Sequence, residues 1–200
     1  MKNFAEQIKD YQKEAQSLGS LVQKTNEFFN ERYFSLSGSG EDLNGNYIPG
    51  KIYTGEYLTK SELSDRIKFI DRRPLFLFIS EEKINGESIL KGLDLNIVPN
   101  EYRAKIIGSY FDNSVDKISS NLNNSSSAQE PILIKSVYLA TIFGNDGYKF
   151  AMNGFKKSYM KSVKVVSYSD WAKIPFLTDT RIQGLSVSAI YNQYKTKLNS

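Results

Sequence analysis

The first 36 residues repeat apolar side chains at alternating spacings of four and three, with charged and amide side chains between them. This spacing is the a/d seam of a coiled coil and predicts one long amphipathic helix over residues 1–36. Gly19 lies inside the pattern, and because glycine disfavours a helix by about 1 kcal/mol relative to alanine, a break into two helices there is an alternative. The helix packs either on its own domain or against another subunit. The predicted seam residues are Phe4, Ile8, Tyr11, Ala15, Leu18, Val22, Thr25 and Phe29.

After a Gly/Ser- and Asn/Gly-rich stretch over residues 37–46, which predicts a flexible linker, the pattern becomes that of short strands. Residues 51–58 alternate as a strand does, and residues 74–79 are apolar on both faces, which is typical of a central strand. Asn85-Gly86 is a strong signal for a two-residue hairpin turn. A third strand is predicted over residues 90–98.

Strands this short and this closely spaced predict a small SH3-like β-barrel, completed by a helix from Glu101 to about Ile118, as a domain over residues 47–118. The polar run over residues 119–130 predicts a mobile loop. Residues 131–200 then form a mixed α/β part. Within it we predict a helix at about 148–160, a strand at 163–167 and a helix at about 186–198. The predicted class is α+β.

The composition limits the groups available for catalysis and metal binding, because the chain has neither cysteine nor histidine. It therefore has no thiolate nucleophile, imidazole base or Cys/His metal ligand. We expect no catalytic residues, no metal site and no cofactor. One string resembles a Mg²⁺ nuclease, namely Asp71 followed by Glu81-Glu82-Lys83, in which two carboxylates would hold the metal. Glu82 stands where an apolar strand residue is normal, so a charged hairpin end is the preferred interpretation.

Positive charge is concentrated at the end of the chain, since residues 151–200 hold eight basic and two acidic side chains, a net charge of +6. Such asymmetry can mark a surface for nucleic acid or for an acidic protein. The alternative is a solvated helix face whose aromatic residues point into the core. Candidate anion-binding residues are Arg72, Arg73, Lys156, Lys157, Lys161 and Lys164. The charged N-terminus and the absence of any apolar run of membrane-spanning length predict an intracellular protein without membrane contact.

Three stretches carry a family resemblance: PGKIYTGEY (49–57), RRPLFLFI (72–79) with GLDLNIVPNEYRAKII (92–107), and YKFAMNGFKKSYMKSVKVVSYSDWAKIPFL (148–177). In this order they resemble a small family of proteins from bacteriophages with contractile tails, over residues 47–180. Asp94 departs from the family pattern, which usually has Asn or a similar residue there. The N-terminal helix lies outside the resemblance.

The resemblance implies a non-catalytic virion or assembly protein, found in the host cytoplasm during assembly and afterwards in the virion. Its partners would be other virion proteins in an oligomeric assembly. A tail or baseplate component is the first expectation. Some similar proteins are described as protectors of DNA ends, so a DNA-end-binding or neck protein acting through the basic C-terminal region is the alternative. An unrelated intracellular adaptor ranks third and a nuclease last.

Overall fold

The computed structural model describes residues 4–34, 45–58, 73–98, 100, 102–108 and 151–178. These residues form helices and one five-stranded antiparallel sheet, so the predicted α+β class is confirmed. The predicted linker (37–46, save its last two residues), loop (119–130) and final helix (186–198) lie outside the described residues.

The N-terminal region contains two helices, α1 (Phe4–Glu14) and α2 (Leu18–Phe34), so the prediction of a single long helix is wrong. Ser17 provides the physical reason, because its Oγ accepts the backbone N–H of Ser20 at 3.2 Å and so caps the start of α2. Lys24, in the second turn of α2, reaches back to the Glu14 carboxylate at 3.2 Å. α1 therefore folds back beside the beginning of α2.

The sheet consists of β1 (Ile52–Tyr57), β2 (Leu75–Ile84), β3 (Glu87–Asp94), β4 (Met152–Lys156) and β5 (Met160–Val165). Their order is β4-β3-β2-β1-β5, and every neighbouring pair is antiparallel. The hairpin turn predicted between β2 and β3 is confirmed. Both of its central residues have positive φ, 50° at Asn85 and 81° at Gly86, as the favoured turn for twisted strands requires.

β4 and β5 lie at opposite edges of the sheet, although only the 3₁₀ helix Lys157–Tyr159 separates them in the chain. The edges of a flat five-stranded sheet would be about 19 Å apart. A three-residue connection spans about 14 Å at most. The sheet must therefore curl, and the curl brings the ring of Phe155 on β4 to 5.7 Å from that of Tyr57 on β1.

The prediction of an SH3-like barrel is not supported, because the sheet is curled but not closed. Among the described residues β5 pairs with β1 and β4 pairs with β3, and no ladder joins β4 to β5. The short 3₁₀ connection carries the chain across from one edge to the other instead of folding β5 back beside β4. The helix predicted at 148–160 is also wrong, since residues 152–156 form β4 and pair with β3.

The two faces of the curled sheet bury different residues. The inner face holds the aromatic core, defined as Tyr53, Phe76, Phe78, Leu90, Phe155 and Met160. The other face contributes Ile52, Leu75, Leu77 and Leu93 to the main core. There they pack with α2, with the helical residues 102–108 (α3) and with the C-terminal segment formed by α4 (Tyr168–Trp171) and the 3₁₀ helix Ile174–Phe176. Because successive side chains along β1 and β2 point to opposite faces, the same sheet contributes residues to both cores.

A bulge interrupts the pairing of β1 with β5. Thr54 pairs with Lys164 and Glu56 with Lys161, so two residues of β5 face Gly55 alone, and one of them, Ser162, has a φ of 48°. A side chain in this left-handed region is strained, whereas glycine is not.

We expect Ser162→Gly to raise the free energy of unfolding by about 0.5 kcal/mol, because relief of this strain exceeds the added entropy of the unfolded chain. Ser158→Gly in the 3₁₀ helix is the control and should lower it, since Ser158 has no positive φ to relieve. Urea denaturation monitored by Trp171 fluorescence measures both. Equal losses in the two variants would contradict the strain argument.

Candidate functional site

The basic residues at the end of β4 are engaged by glutamates of the β2–β3 hairpin. Nζ of Lys156 lies 2.6 Å from Oε2 of Glu87. Nζ of Lys157 lies 2.9 Å from Oε2 of Glu81 and donates to both of its carboxylate oxygens. The β3–β4 ladder accounts for the first pair, because Lys156 lies opposite Ile89, two residues from Glu87. Lys157, the first residue of the β4–β5 connection, reaches Glu81 on β2.

One member of each ion pair has a shifted pKa. The hydrogen bond from Lys157 holds the pKa of Glu81 below its usual value. The hydrogen bond to Glu87 raises the pKa of Lys156. Both shifts favour the charged form of the group concerned, and each ammonium group already has a carboxylate beside it.

The other two lysines of the predicted anion surface lie on β5, at the edge of the sheet. Lys161 is exposed and lies opposite Glu56 of β1, and Lys164 is half-buried opposite Thr54. The four lysines thus lie along one stretch of chain, from the end of β4 through the β4–β5 connection to β5. The ammonium groups of Lys156 and Lys157 each lie against a glutamate of the chain's own hairpin.

Tyrosines surround this basic stretch and form what we call the tyrosine rim: Tyr47, Tyr57 and Tyr159. The ammonium group of Lys157 lies over the Tyr47 ring at 5.5 Å from its centre, and that of Lys156 lies over the Tyr159 ring at 5.4 Å. These are distances at which a cation is attracted to an aromatic face. The basic stretch is thus held from two sides, by carboxylates and by rings.

Two phenols of the rim, those of Tyr47 and Tyr57, stay protonated near neutral pH. Burial is the main cause that raises the pKa of Tyr47 to about 12, and it also raises that of Tyr57. The hydroxyl of Tyr57 accepts the backbone N–H of Lys156 at 3.2 Å. These side chains are suited to hydrogen bonding and apolar contact, and they are poor general bases in this state.

The predicted arginine pair is only partly described, because Arg72 lies outside the described residues. Arg73 is exposed, and its backbone carbonyl accepts the side-chain amide of Asn96 at 2.9 Å.

The predicted helix seam lies partly against the chain's own core. Phe29 belongs to the main core, Ile8 packs against it, and Tyr11 is buried with its ring 5.2 Å from that of Phe176. Val22 is half-buried, whereas Leu18 is 52% exposed at the first residue of α2. The side chain of Phe4 lies outside the described part of the chain.

The described residues of the nuclease-like string do not form a metal site. Asp71 lies outside them, Glu81 is bonded to Lys157, and the Glu82 carboxylate lies 3.8 Å from Lys91. Within the described ranges no group of three acidic, histidine or cysteine side chains could hold a metal ion. No described helix is long and apolar enough to cross a bilayer.

Sequence reasoning did not identify two buried polar centres. Asp94, fully buried at the end of β3, accepts the Asn96 backbone N–H at 3.1 Å and the Asn153 amide at 2.9 Å. Arg103 of α3 is 1% exposed and donates to the carbonyl oxygens of Val98, Ile174 and Leu177. The available signal was the Asp-x-Asn spacing at a strand end, which is typical of a side-chain-bonded turn.

Comparison with known proteins does not assign the chain to a family: no family model, no curated protein and no solved structure matches it.

Proposed function

We propose that this chain is a non-catalytic structural or assembly protein of a tailed-bacteriophage virion, in the tail or baseplate region, and that it works through contacts with other virion proteins. The resemblance over residues 47–180 suggests this class. The stretches that carry it fall on β1, β2, the end of β3, α3, β4 and β5. They include parts of the curled sheet and of the elements that cover its main core, but not residues 80–91 of the β2–β3 hairpin.

The pairing of Lys156 with Glu87 and of Lys157 with Glu81 supports protein contact over DNA contact. A phosphate that approached either ammonium group would have to displace a carboxylate and leave that carboxylate beside the phosphate charge. Like charges so placed repel each other, which lowers the affinity for nucleic acid. A protein partner can instead use the tyrosine rim, whose rings and hydroxyl groups suit an interface.

The second candidate is a DNA-end-binding protector or neck protein. The exposed Lys161 and the net charge of +6 over residues 151–200 favour it. If all four lysines meet phosphates, the logarithm of affinity falls with the logarithm of salt concentration at a slope of roughly −3.6. Binding should then also prefer blunt-ended DNA to a closed circle.

A salt titration of the two DNA forms tests the proposal. We expect weak binding that ignores ends, with a slope shallower than about −2, because two of the four lysines are held by glutamates. Replacing both glutamates, Glu81→Gln with Glu87→Gln, should release the two ammonium groups and steepen the slope by about 1.8.

The matched control is Glu27→Gln with Glu31→Gln, which changes the net charge equally at exposed positions of α2 and should leave the slope nearly unchanged. Tight, end-dependent wild-type binding with a slope near −3.6 would replace the first proposal with the second. Fractionation of phage particles is a second test. When the particles are separated into heads and tails, we expect a tagged chain to sediment with the tails and not with the heads.

A further inference from the structure

The break between α1 and α2 contrasts with the sequence around it. The four-three spacing of apolar residues runs without a change of phase through Tyr11, Ala15, Leu18 and Val22, as it would in one uninterrupted helix. The structure nevertheless ends α1 at Glu14 and begins α2 at Leu18. The residues between them, Ala15-Gln16-Ser17, include no proline, so nothing in their covalent structure forbids a helix.

The closed arrangement is held by a few local contacts. Ser17 caps α2 through its Oγ, and its carbonyl accepts the N–H of Leu21 at 3.0 Å. Lys24 joins α2 to α1 by its ion pair with Glu14 and by its position over the Tyr11 ring, 5.2 Å from the centre. The first residue after the break, Leu18, is 52% exposed although it belongs to the apolar seam.

α1 itself docks on the rest of the chain, and Tyr11 and Ile8 are among the side chains that make this contact. Tyr11 contacts Phe176 at 5.2 Å between ring centres, and Ile8 packs against the main core. Every copy of the chain carries both the docking surface and the helix that fits it. Two copies could therefore exchange their helices and re-form the same contacts, which is why exchange of an identical element is a low-cost route to a dimer.

We infer that residues 15–17 are a hinge and that two copies of this chain exchange α1. When the hinge straightens, α1 and α2 become one continuous helix, and each α1 occupies the docking surface of the second copy. Straightening also lets the residues at the break form the helical hydrogen bonds that two separate helix ends forgo. At the crossing of the two long helices, the two Leu18 side chains leave solvent and pack on each other.

The inference rests on the proposed function, in which the chain acts through contacts with other proteins. It adds that one of these partners is a second copy of the chain. The two ideas fail separately. A chain that joins phage particles but never exchanges α1 would refute the inference and leave the proposed function intact.

Two substitutions at the hinge shift the exchange in opposite directions. Leu18→Pro suits the folded-back form, because proline is favoured at the first residue of a helix and Ser17 before it is the capping residue. The same proline breaks a continuous helix. Ser17→Ala removes the cap of the folded-back form. Loss of this cap shifts the equilibrium between the folded-back and straight forms by about fivefold toward the straight form. Because a dimer contains two hinges, its dissociation constant should fall by about 25-fold.

The exchange is read with a pair of introduced cysteines, Glu14→Cys and Lys24→Cys, whose side chains meet in the folded-back form. The chain has no cysteine of its own, so a short thiol crosslinker reacts at these two sites alone. Crosslinking within one chain leaves a monomer on a denaturing gel, whereas an exchanged dimer gives a covalent dimer. Sedimentation of the full-length chain without added cysteines, over a range of concentrations, gives the dissociation constant.

We expect the double-cysteine chain to give a covalent dimer whose yield grows with protein concentration. The yield should increase when Ser17→Ala is added to that chain, and the dimer should be absent when Leu18→Pro is added. Leu18→Gln, which removes the apolar side chain but permits the straight helix, is the matched control and should still dimerise, though more weakly. A wild-type chain that sediments as a monomer at every concentration, together with a double-cysteine chain that crosslinks only internally, would overturn the inference. A Leu18→Pro chain that dimerises as readily as the wild type would do so as well, and this comparison stands even if Ser17→Ala does not fold.

Discussion

Replacing Arg103 by methionine is expected to lower the free energy of unfolding by about 3–5 kcal/mol. The guanidinium group is 1% exposed and donates to the Val98 carbonyl at 2.6 Å and to those of Ile174 and Leu177 at 3.1 and 2.6 Å. Methionine fills much of the same space but donates nothing, so buried carbonyl oxygens lose their donor, and each such loss costs about 1–3 kcal/mol. The C-terminal segment should detach from α3 first.

Lys105→Met is the control for this prediction, because it removes a positive charge from the exposed side of the same helix. The Lys105 ammonium lies over the Tyr102 ring at 5.3 Å from its centre, so its loss should cost less than about 1 kcal/mol. Urea denaturation of both variants gives the comparison, and proteolysis reports release of residues 174–177. If Arg103→Met costs no more than the control, the three carbonyl contacts do not hold this segment.

Gly92→Ala is expected to destabilise the protein by about 3 kcal/mol, at the upper end for an overpacked core. A Cβ at Gly92 would lie 2.7 Å from the Leu77 carbonyl oxygen and 2.7 Å from Cδ2 of Phe76. Phe76 is fully buried in the aromatic core, and the Leu77 oxygen belongs to the backbone of β2, so neither can withdraw without distorting the sheet. For a chain of this length the melting temperature should fall by about 6–12 °C.

Gly19→Ala supplies the comparison for this substitution. The nearest atom to a Cβ there is the Ser17 Oγ at 4.0 Å, so the added methyl group has room and should increase stability through its helix propensity. Both variants are measured by thermal unfolding followed by circular dichroism, at a concentration low enough to keep the chain monomeric. A Gly92→Ala protein that melts with the wild type would mean that β2 and β3 are less tightly packed than described.

Local patterns were read correctly from the sequence where neighbouring residues determine the structure. Asn85-Gly86 predicted its turn because positive φ at both positions is a property of those residues themselves. The apolar run of residues 74–79 predicted a central strand, and β2 does lie in the middle of the sheet. In both cases the strand and turn chemistry acts over a few residues.

Apart from the break between α1 and α2, the errors and omissions concern contacts between distant residues. Residues 152–156 were predicted to be helical, yet they form β4 because β3, about 60 residues earlier in the chain, offers them an edge. Arg103 is bonded to Ile174 and Leu177, 71 and 74 residues away, and no local pattern announces such a contact. The same holds for the candidate site. The four lysines were identified from the sequence, but the glutamates that contact Lys156 and Lys157 lie on the β2–β3 hairpin, far away in the chain.

The pairing of β1 with β5 has a consequence for how the chain folds as it is made. Tyr53 pairs with Val165, 112 residues later, so the ribosome must add more than a hundred residues after β1 before its second neighbour exists. At a synthesis rate of about 5–20 residues per second, that interval lasts roughly 6–22 seconds. Until then β1, β2 and β3 lack Phe155 and Met160, the residues that complete the aromatic core on their inner face.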